Sequence, residues 1–291
     1  MNLWNPAHLP WLLALATAGL LGMVHGITPD EHTWPITFSY SIGSYSSRGG
    51  RRVGLLFSLA FTVQRALASE LAYFALTAFQ LQPRWQFGVY LVVGLVMVGS
   101  GVYILRRGRA ARWELGGRVP KAKDSTRWLP LLHGFIAGWG VGAFATIIYT
   151  VLSPAMPSPW LGWLPGALFG LGTMLMQIVL GGVFGAWMAR RHLSDKARAY
   201  VARTVSGRTL AGGGIAFVAV AAAGLAWPSL VASLAVTTPL HVHNLHTIGA
   251  GFFLAVVALF GIAGWAFVKS RREALRLFGP GSPGTETSQL T

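Results

Sequence analysis

The sequence predicts an all-α fold, a polytopic transmembrane helical bundle of about seven spans. Three observations predict it. The 291 residues are 53% hydrophobic and only 11% charged, with a mean hydropathy of +0.54, whereas soluble domains carry about 25% charged residues. Apolar runs recur at 10–27, 53–80, 86–105, 129–152, 160–188, 209–235 and 247–268, and a helix needs about 20 residues to cross the hydrocarbon layer. The basic residues alternate between the connections. Of 23 Lys and Arg, 21 fall in four short clusters: Arg48 to Arg52, Arg106 to Arg127, Arg190 to Arg208 and Lys269 to Arg276. The connections between these clusters hold only Arg84.

That alternation is the positive-inside pattern. It places the four clusters and the C-terminus in the cytoplasm, and the whole chain in the cytoplasmic (plasma or inner) membrane. The net charge of +15 is therefore a set of topology signals near anionic lipid, and nucleic acid is not an expected partner. The chain has no cysteine, which excludes disulfides, thiolate ligands and thiol relays. No nucleotide-binding loop is present and no serine is arranged as a nucleophile, so neither ATP drive nor an enzyme is expected.

The first element opens at residue 10 and meets "GMVHGITPDEHTWP", residues 22–35. Pro29 removes a backbone donor and Pro35 restrains the residue before it. Residues 1–9 carry no Lys or Arg, which favours an outside N-terminus and an odd number of crossings before Arg48. One crossing is then an outer half-helix near 10–26, a break at the prolines and an inner half-helix near 36–47. The competing reading has two crossings, with the quoted stretch at the outer surface.

Later elements suggest duplication. "VHGI" (24–27) matches "LHGF" (132–135), and "GLLFSL" (54–59) matches "GALFGL" (166–171). Units near 10–105 and 129–235 with three crossings each would be inverted, as in many transporters, with 247–268 an added span. Gly134, Gly138 and Gly142, and likewise Gly162, Gly166 and Gly170, recur every four residues, a spacing that lets helices approach closely in lipid. Residues 1–279 read as one transporter domain. The polar end, 280–291, reads as a disordered cytoplasmic tail.

Three groups of residues bear on chemistry. On the single-crossing reading His25, Asp30, Glu31 and His32 lie within the membrane, where ionisable groups default to function. Two imidazoles and a carboxylate suit a borderline divalent ion such as Ni²⁺, Co²⁺ or Zn²⁺. The alternative is a polar turn at an interface. His241, His243 and His246 cluster in "HVHNLHT" on the outer side and form either a metal-capture vestibule or a solvated loop. Gln64 and Arg65 sit mid-way along the second span, with Glu70 further out. An arginine there requires a partner, and Asp30, Glu31 or Glu70 is the expected one. His133 is a candidate repeat partner of His25; His192 and His8 are expected to be exposed.

The order "GLLGMVHGITPDEHTWPITFSYSIGSYSSRGGRRVGLLFSLAFTVQ" resembles the opening of nickel/cobalt efflux permeases of the NicO/RcnA type. More remotely it is similar to nickel/cobalt uptake permeases and sulfite-exporter-like membrane proteins. The resemblance covers about the first seventy residues. It implies that His25, Asp30 and His32 contact metal. The chain departs from the pattern in three ways. Its spacing is one residue longer than the permeases' His-x4-Asp-His, Gln64-Arg65 replaces a His-Thr pair, and no histidine-rich cytoplasmic loop is present.

The expected function is secondary transport of a divalent transition-metal ion such as nickel or cobalt. His25, Asp30 and His32 would bind it, Glu31 or Glu70 would balance Arg65 or carry protons, and the triple-histidine loop would guard the outer mouth. No tightly bound cofactor is expected; the cation is the substrate. Two alternatives stand beside it: export of a small sulfite-like anion clamped by Arg65, and a membrane helper in metal or haem assembly. The expected partners are the lipid bilayer and the transported ion, with homo-oligomerisation left open.

Overall fold

A computed structural model describes residues 10–76, 83–114, 128–233, 236–237 and 247–278. The chain is a helical bundle. Five helices are long and apolar enough to cross a bilayer: Ser47–Tyr73, Arg84–Arg107, Pro159–Ala189, Asp195–Ala226 and Phe253–Phe278. Their large apolar side chains point outward. Leu55, Leu59, Val63 and Leu67 form one exposed row and Leu171, Leu175, Val179 and Val183 another, while Gln64, Arg65, His133, Thr173 and Gln177 are buried. Water would not tolerate so much contiguous apolar surface; lipid requires it.

Helix α1 (Trp11–Ile27) stops where Thr28 turns extended ahead of Pro29. Asp30 organises the break. Its side chain accepts the His32 amide at 2.9 Å and its carbonyl accepts the Trp34 amide at 3.1 Å. Pro35 then sits in the first turn of α2 (Trp34–Ser44), where its missing donor costs nothing. A left-handed Tyr45 closes α2. The Ser46 hydroxyl caps α3 (Ser47–Tyr73) by accepting from the Gly49 amide, as N-cap serines do. The sequence places this break and both half-helices within a few residues of where they fall.

A long α4 (Pro83–Glu114) follows, then a second interrupted helix that the sequence does not announce. α5 (Trp128–Ala137) ends, residues 138–142 run without helix, and α6 (Ala143–Leu152) resumes, its last turn widened to a π-helix over Ile148–Leu152. The run 129–152, expected as one continuous span, is thus divided as 10–47 is. α7 (Leu164–Ala189) and α8 (Asp195–Ala226) complete the bundle, with Ser194 capping α8. A short α9 (Pro228–Ser233) leads to a minimal antiparallel pairing of Val236–Thr237 with Thr247–Ile248, the only departure from helix among the described residues that forms strand. α10 (Ala250–Val256) continues through a π-helical stretch, Val257–Ile262, into α11 (Ala263–Phe278). The tail 280–291 lies outside the described residues.

The core is an antiparallel α3/α7 pair held by backbone-to-backbone contact. A methyl on Gly54 would strike the Gln177 carbonyl, and one on Gly166 would strike the Arg65 carbonyl. The two contacts are mirror statements, because one interval of 112 residues separates Gly54 from Gly166 and Arg65 from Gln177. α1 lies on α7, with Gly22 against Phe169; α5 lies on α3, with Gly134 against Phe57. Those pairs obey the same interval. α4 and α8 form a second antiparallel pair, where Gly94 meets Gly214 and Gly101 meets Gly207. This second pair packs beside α2 and α5, and α11 lies against α8.

α1 meets α7 from Leu168 to Met176, and α2 meets it again at Gly181 and Phe184. The two half-helices therefore accompany one helix in succession, as an interrupted rod and not as a hairpin.

Candidate ion-binding site between two broken helices

The two breaks meet. A Cβ on Gly140, in the second break, would lie 2.5 Å from His32 Nε2, in the first. α3 supplies Gln64 and Arg65 at the same level: Gln64 is pressed against Gly138, and Arg65 Nη2 donates to the Gly140 carbonyl at 2.9 Å. Interrupting a helix frees backbone carbonyls, and lone arginines in membranes seek such acceptors.

Asp30, Glu31 and His32 each present one ligand atom, all within 4.8 Å of one another. His32 Nδ1 lies 3.3 Å from Glu31 Oε1 and 3.8 Å from Asp30 Oδ1. Donors around a first-row ion stand about 2.0–2.2 Å from the metal, so the three groups need only a small contraction to hold one. His25 faces the group from α1, its Nδ1 3.9 Å from Asp30 Oδ2. Its ring is boxed by Phe61 and Phe169, stacked at 5.9 and 5.2 Å, and by the edge of Phe144. Neither His25 nitrogen has a hydrogen-bond partner in the protein. A buried imidazole with both nitrogens unsatisfied is expensive, and imidazole is a ready metal ligand.

α4 contributes residues absent from the sequence-based site. Tyr90 donates to Glu31 Oε1 at 2.8 Å. Gln86 accepts from the Val141 amide at 2.9 Å, and its amide nitrogen lies 3.3 Å from His32 Nε2. Gln86 thereby ties His32 to the second break. From α7, Gln177 donates to the Gly26 carbonyl at 3.0 Å. Gln177 therefore treats the end of α1 as Arg65 treats the end of α5. A lone glutamine inside the apolar run "LMQIVL" was the available signal, strengthened by its interval from Arg65.

Three expectations change. Arg65 is not neutralised by a carboxylate. Among the described residues its partners are Tyr149 Oη at 2.8 Å, the Gly140 carbonyl, and the Phe61 face 4.7 Å from its guanidinium carbon. A phenol, a freed carbonyl and an aromatic face together replace the expected ion pair. Glu70 does not join the cluster: it lies against Gly162 near the far end of α3. His133 is not the counterpart of His25. Gly22 packs on Phe169 as Gly134 packs on Phe57, and that 112-residue interval aligns His25 with Ala137, one helical turn beyond His133. His133 instead sits 3.2 Å from Tyr40 Oη and 3.0 Å from the Leu129 carbonyl. His192 is exposed. His241, His243 and His246 lie outside the described residues.

The fold and site define a helical bundle with membrane-grade helices and a buried histidine–carboxylate cluster where two broken helices cross. No protein-family model matches the chain, and no curated protein or solved structure matches it.

Proposed function

We propose that this chain is a secondary transporter of divalent transition-metal ions of the nickel/cobalt class, built from two inverted units plus one additional span. The observation that carries the reading is the cluster of buried Asp30 and His32 with half-buried Glu31, and beside it His25, whose ring nitrogens carry no hydrogen bond in the protein. Two carboxylates and two imidazoles converge there beside a single guanidinium, a donor set suited to a cation. The inverted repeat is supported by the reciprocal glycine contacts of α3 with α7 and of α4 with α8. It is supported also by the break in each unit's first helix, the arrangement from which transporters build mid-membrane sites. Counting each broken rod as one crossing brings the total to seven. The cytoplasmic C-terminus and outside N-terminus follow from the placement of the basic clusters.

In this reading His25 and His32 supply imidazole nitrogens and Asp30 and Glu31 supply carboxylate oxygens. Tyr90 and Gln86 hold Glu31 and His32 in place. Arg65 keeps the second break against the cluster through Gly140. The test is equilibrium binding of Ni²⁺, Co²⁺, Zn²⁺ and Mn²⁺ to the purified protein and to a His25→Ala/His32→Ala variant. Saturable binding that weakens at least about tenfold in the variant, the loss of roughly 1.4 kcal/mol or more, is expected. Absence of saturable binding to the unaltered protein sinks the reading.

One observation favours the anion alternative: Arg65 lacks a carboxylate partner and its Nε is unpaired. Arg65→Gln separates the two. It abolishes transport of a sulfite-like anion, whereas saturable metal binding persists with at most a weakened affinity, because Arg65 positions the second break and ligates nothing. A haem-helper role has less to rest on, since three phenyl rings enclose His25.

A further inference from the structure

Serine and threonine hydroxyls inside helices commonly bond the carbonyl four residues back. This chain does so at Thr17, Ser39, Thr62, Thr173 and Thr204. Thr37, Ser41 and Ser58 do not. Together with Thr33 they are completely buried, and none of the four hydroxyls has a hydrogen-bond partner in the protein; Thr209 of α8 is the other such hydroxyl among the described residues.

Their placement is ordered. Thr33, Thr37 and Ser41 recur every four residues and share one face of α2 and its N-cap. Thr33 adjoins His32 of the cluster. One turn beyond Thr37, Ser41 lies against Gly181 of α7, and Ser44 lies against Gly49 of α3. The stripe thus descends from the cluster along the seam where α2 meets α7. Beyond its far end come Arg48, Arg51 and Arg52.

The matching seam in the second unit is bonded shut. At the same interval of 112 residues, Thr37 corresponds to Tyr149 and Ser41 to Ser153. Tyr149 accepts from Arg65, and Ser153 Oγ lies 2.7 Å from Ser69 Oγ, which also donates to the Gly162 carbonyl. One seam spends its polar groups on each other; the other keeps them free. Buried hydroxyls without partners are costly, and within a membrane bundle such groups mark the course of hydrophilic solutes.

We propose that the α2/α7 seam, lined by Thr33, Thr37 and Ser41, is the leg of the ion path that joins the histidine–carboxylate cluster to the face carrying Arg48, Arg51 and Arg52. The cargo named for this leg rests on the transporter reading; the existence of a hydrophilic leg does not. Its occupant is a partly hydrated divalent cation, which exchanges water for hydroxyl oxygens on the way.

The natural absence of cysteine makes the test direct. Thr37→Cys and Ser41→Cys are probed with a charged, membrane-impermeant methanethiosulfonate in vesicles of each orientation. Arg51→Cys marks its face, and Thr173→Cys, at a bonded position, serves as the protected control. Labelling of Thr37→Cys and Ser41→Cys from the Arg51 face alone is expected. Protection from both faces, or labelling only from the opposite face, overturns the proposal.

A second arm uses shape-preserving variants in proteoliposomes. Thr37→Val slows Ni²⁺ or Co²⁺ transport by about tenfold, the weight of one hydrogen bond to a charged group. Its metal affinity holds, and its thermal stability is equal or higher because a buried unpaired hydroxyl is gone. Thr37→Ser restores the rate. Transport at the full rate by Thr37→Val also overturns the proposal. A protein that labels as expected yet binds no metal keeps the leg and loses the cargo reading.

Discussion

Alanine at Gly166 tests the central α3/α7 contact most directly. The added methyl falls on the Arg65 carbonyl, 2.7 Å from the Arg65 carbonyl carbon and 2.5 Å from Ser69 Cβ. Carbon atoms rest at about 3.5–4.0 Å, so the helices must part by roughly 1 Å. Main chain cannot swing aside as the end of a side chain can. Overpacking of this kind costs about 1–3 kcal/mol. At about 2–4 °C per kcal/mol for chains of this size, Tm in detergent falls by several degrees. Gly54→Ala, whose methyl strikes the Gln177 carbonyl, falls by a similar amount. The double variant falls by less than the sum, because one separation relieves both contacts. Gly88→Ala and Gly99→Ala serve as controls, since nothing lies within 4 Å of either added methyl. They should match the unaltered protein or exceed it by the about 0.5–1 kcal/mol that alanine gains over glycine in a helix. Differential scanning fluorimetry reads all five. Gly166→Ala as stable as Gly99→Ala refutes the claim that backbone contact holds this pair.

Two further predictions address the site and the periphery. Gly140→Ala sets a methyl 2.5 Å from His32 Nε2 and 2.8 Å from Cε1, so the imidazole must leave its place; metal affinity measured by titration calorimetry should drop about tenfold or more with a smaller Tm change than Gly166→Ala, and undiminished affinity counts against His32 as a ligand. Arg208 holds Glu273 through two bonds of 2.9 and 2.7 Å while Tyr200 donates to the same carboxylate at 2.8 Å; Glu273→Gln weakens the docking of α11 on α8 by about 1 kcal/mol, read as a Tm lowered by a few degrees, and an unchanged Tm shows that α11 is held by its apolar face alone.

The first break was legible because proline is unambiguous: Pro29 and Pro35 remove donors wherever the chain goes. The second break was not. Residues 138–142 contain Gly138, Gly140 and Gly142 but no proline, and glycine serves close packing as readily as it serves a break. Gly134 does pack, on Phe57, whereas Gly140 marks where α5 has already ended. The sequence marks Arg65 as a residue in need of a partner but does not name the partner. Charge alone suggests a carboxylate; a tyrosine hydroxyl and a carbonyl released by a break 75 residues away in sequence satisfy it equally well. Gln86 and Tyr90 carried no signal, being ordinary at the start of an apolar helix.

The amino-acid sequence by itself determined that this chain is a helical bundle with an apolar exterior, and which residues carry ionisable groups into it. Those are properties of single segments, since a low-dielectric surrounding demands internal backbone bonding from each helix separately. Only the tertiary structure decided which polar groups meet. It brought two broken helices together at His32 and Gly140, gave Arg65 to Tyr149, and left the hydroxyls of Thr37 and Ser41 in α2 unbonded while their counterparts in α6 found partners. Such pairings depend on the angle and register at which distant helices cross, and those are set by glycine contacts between backbones that no single segment contains.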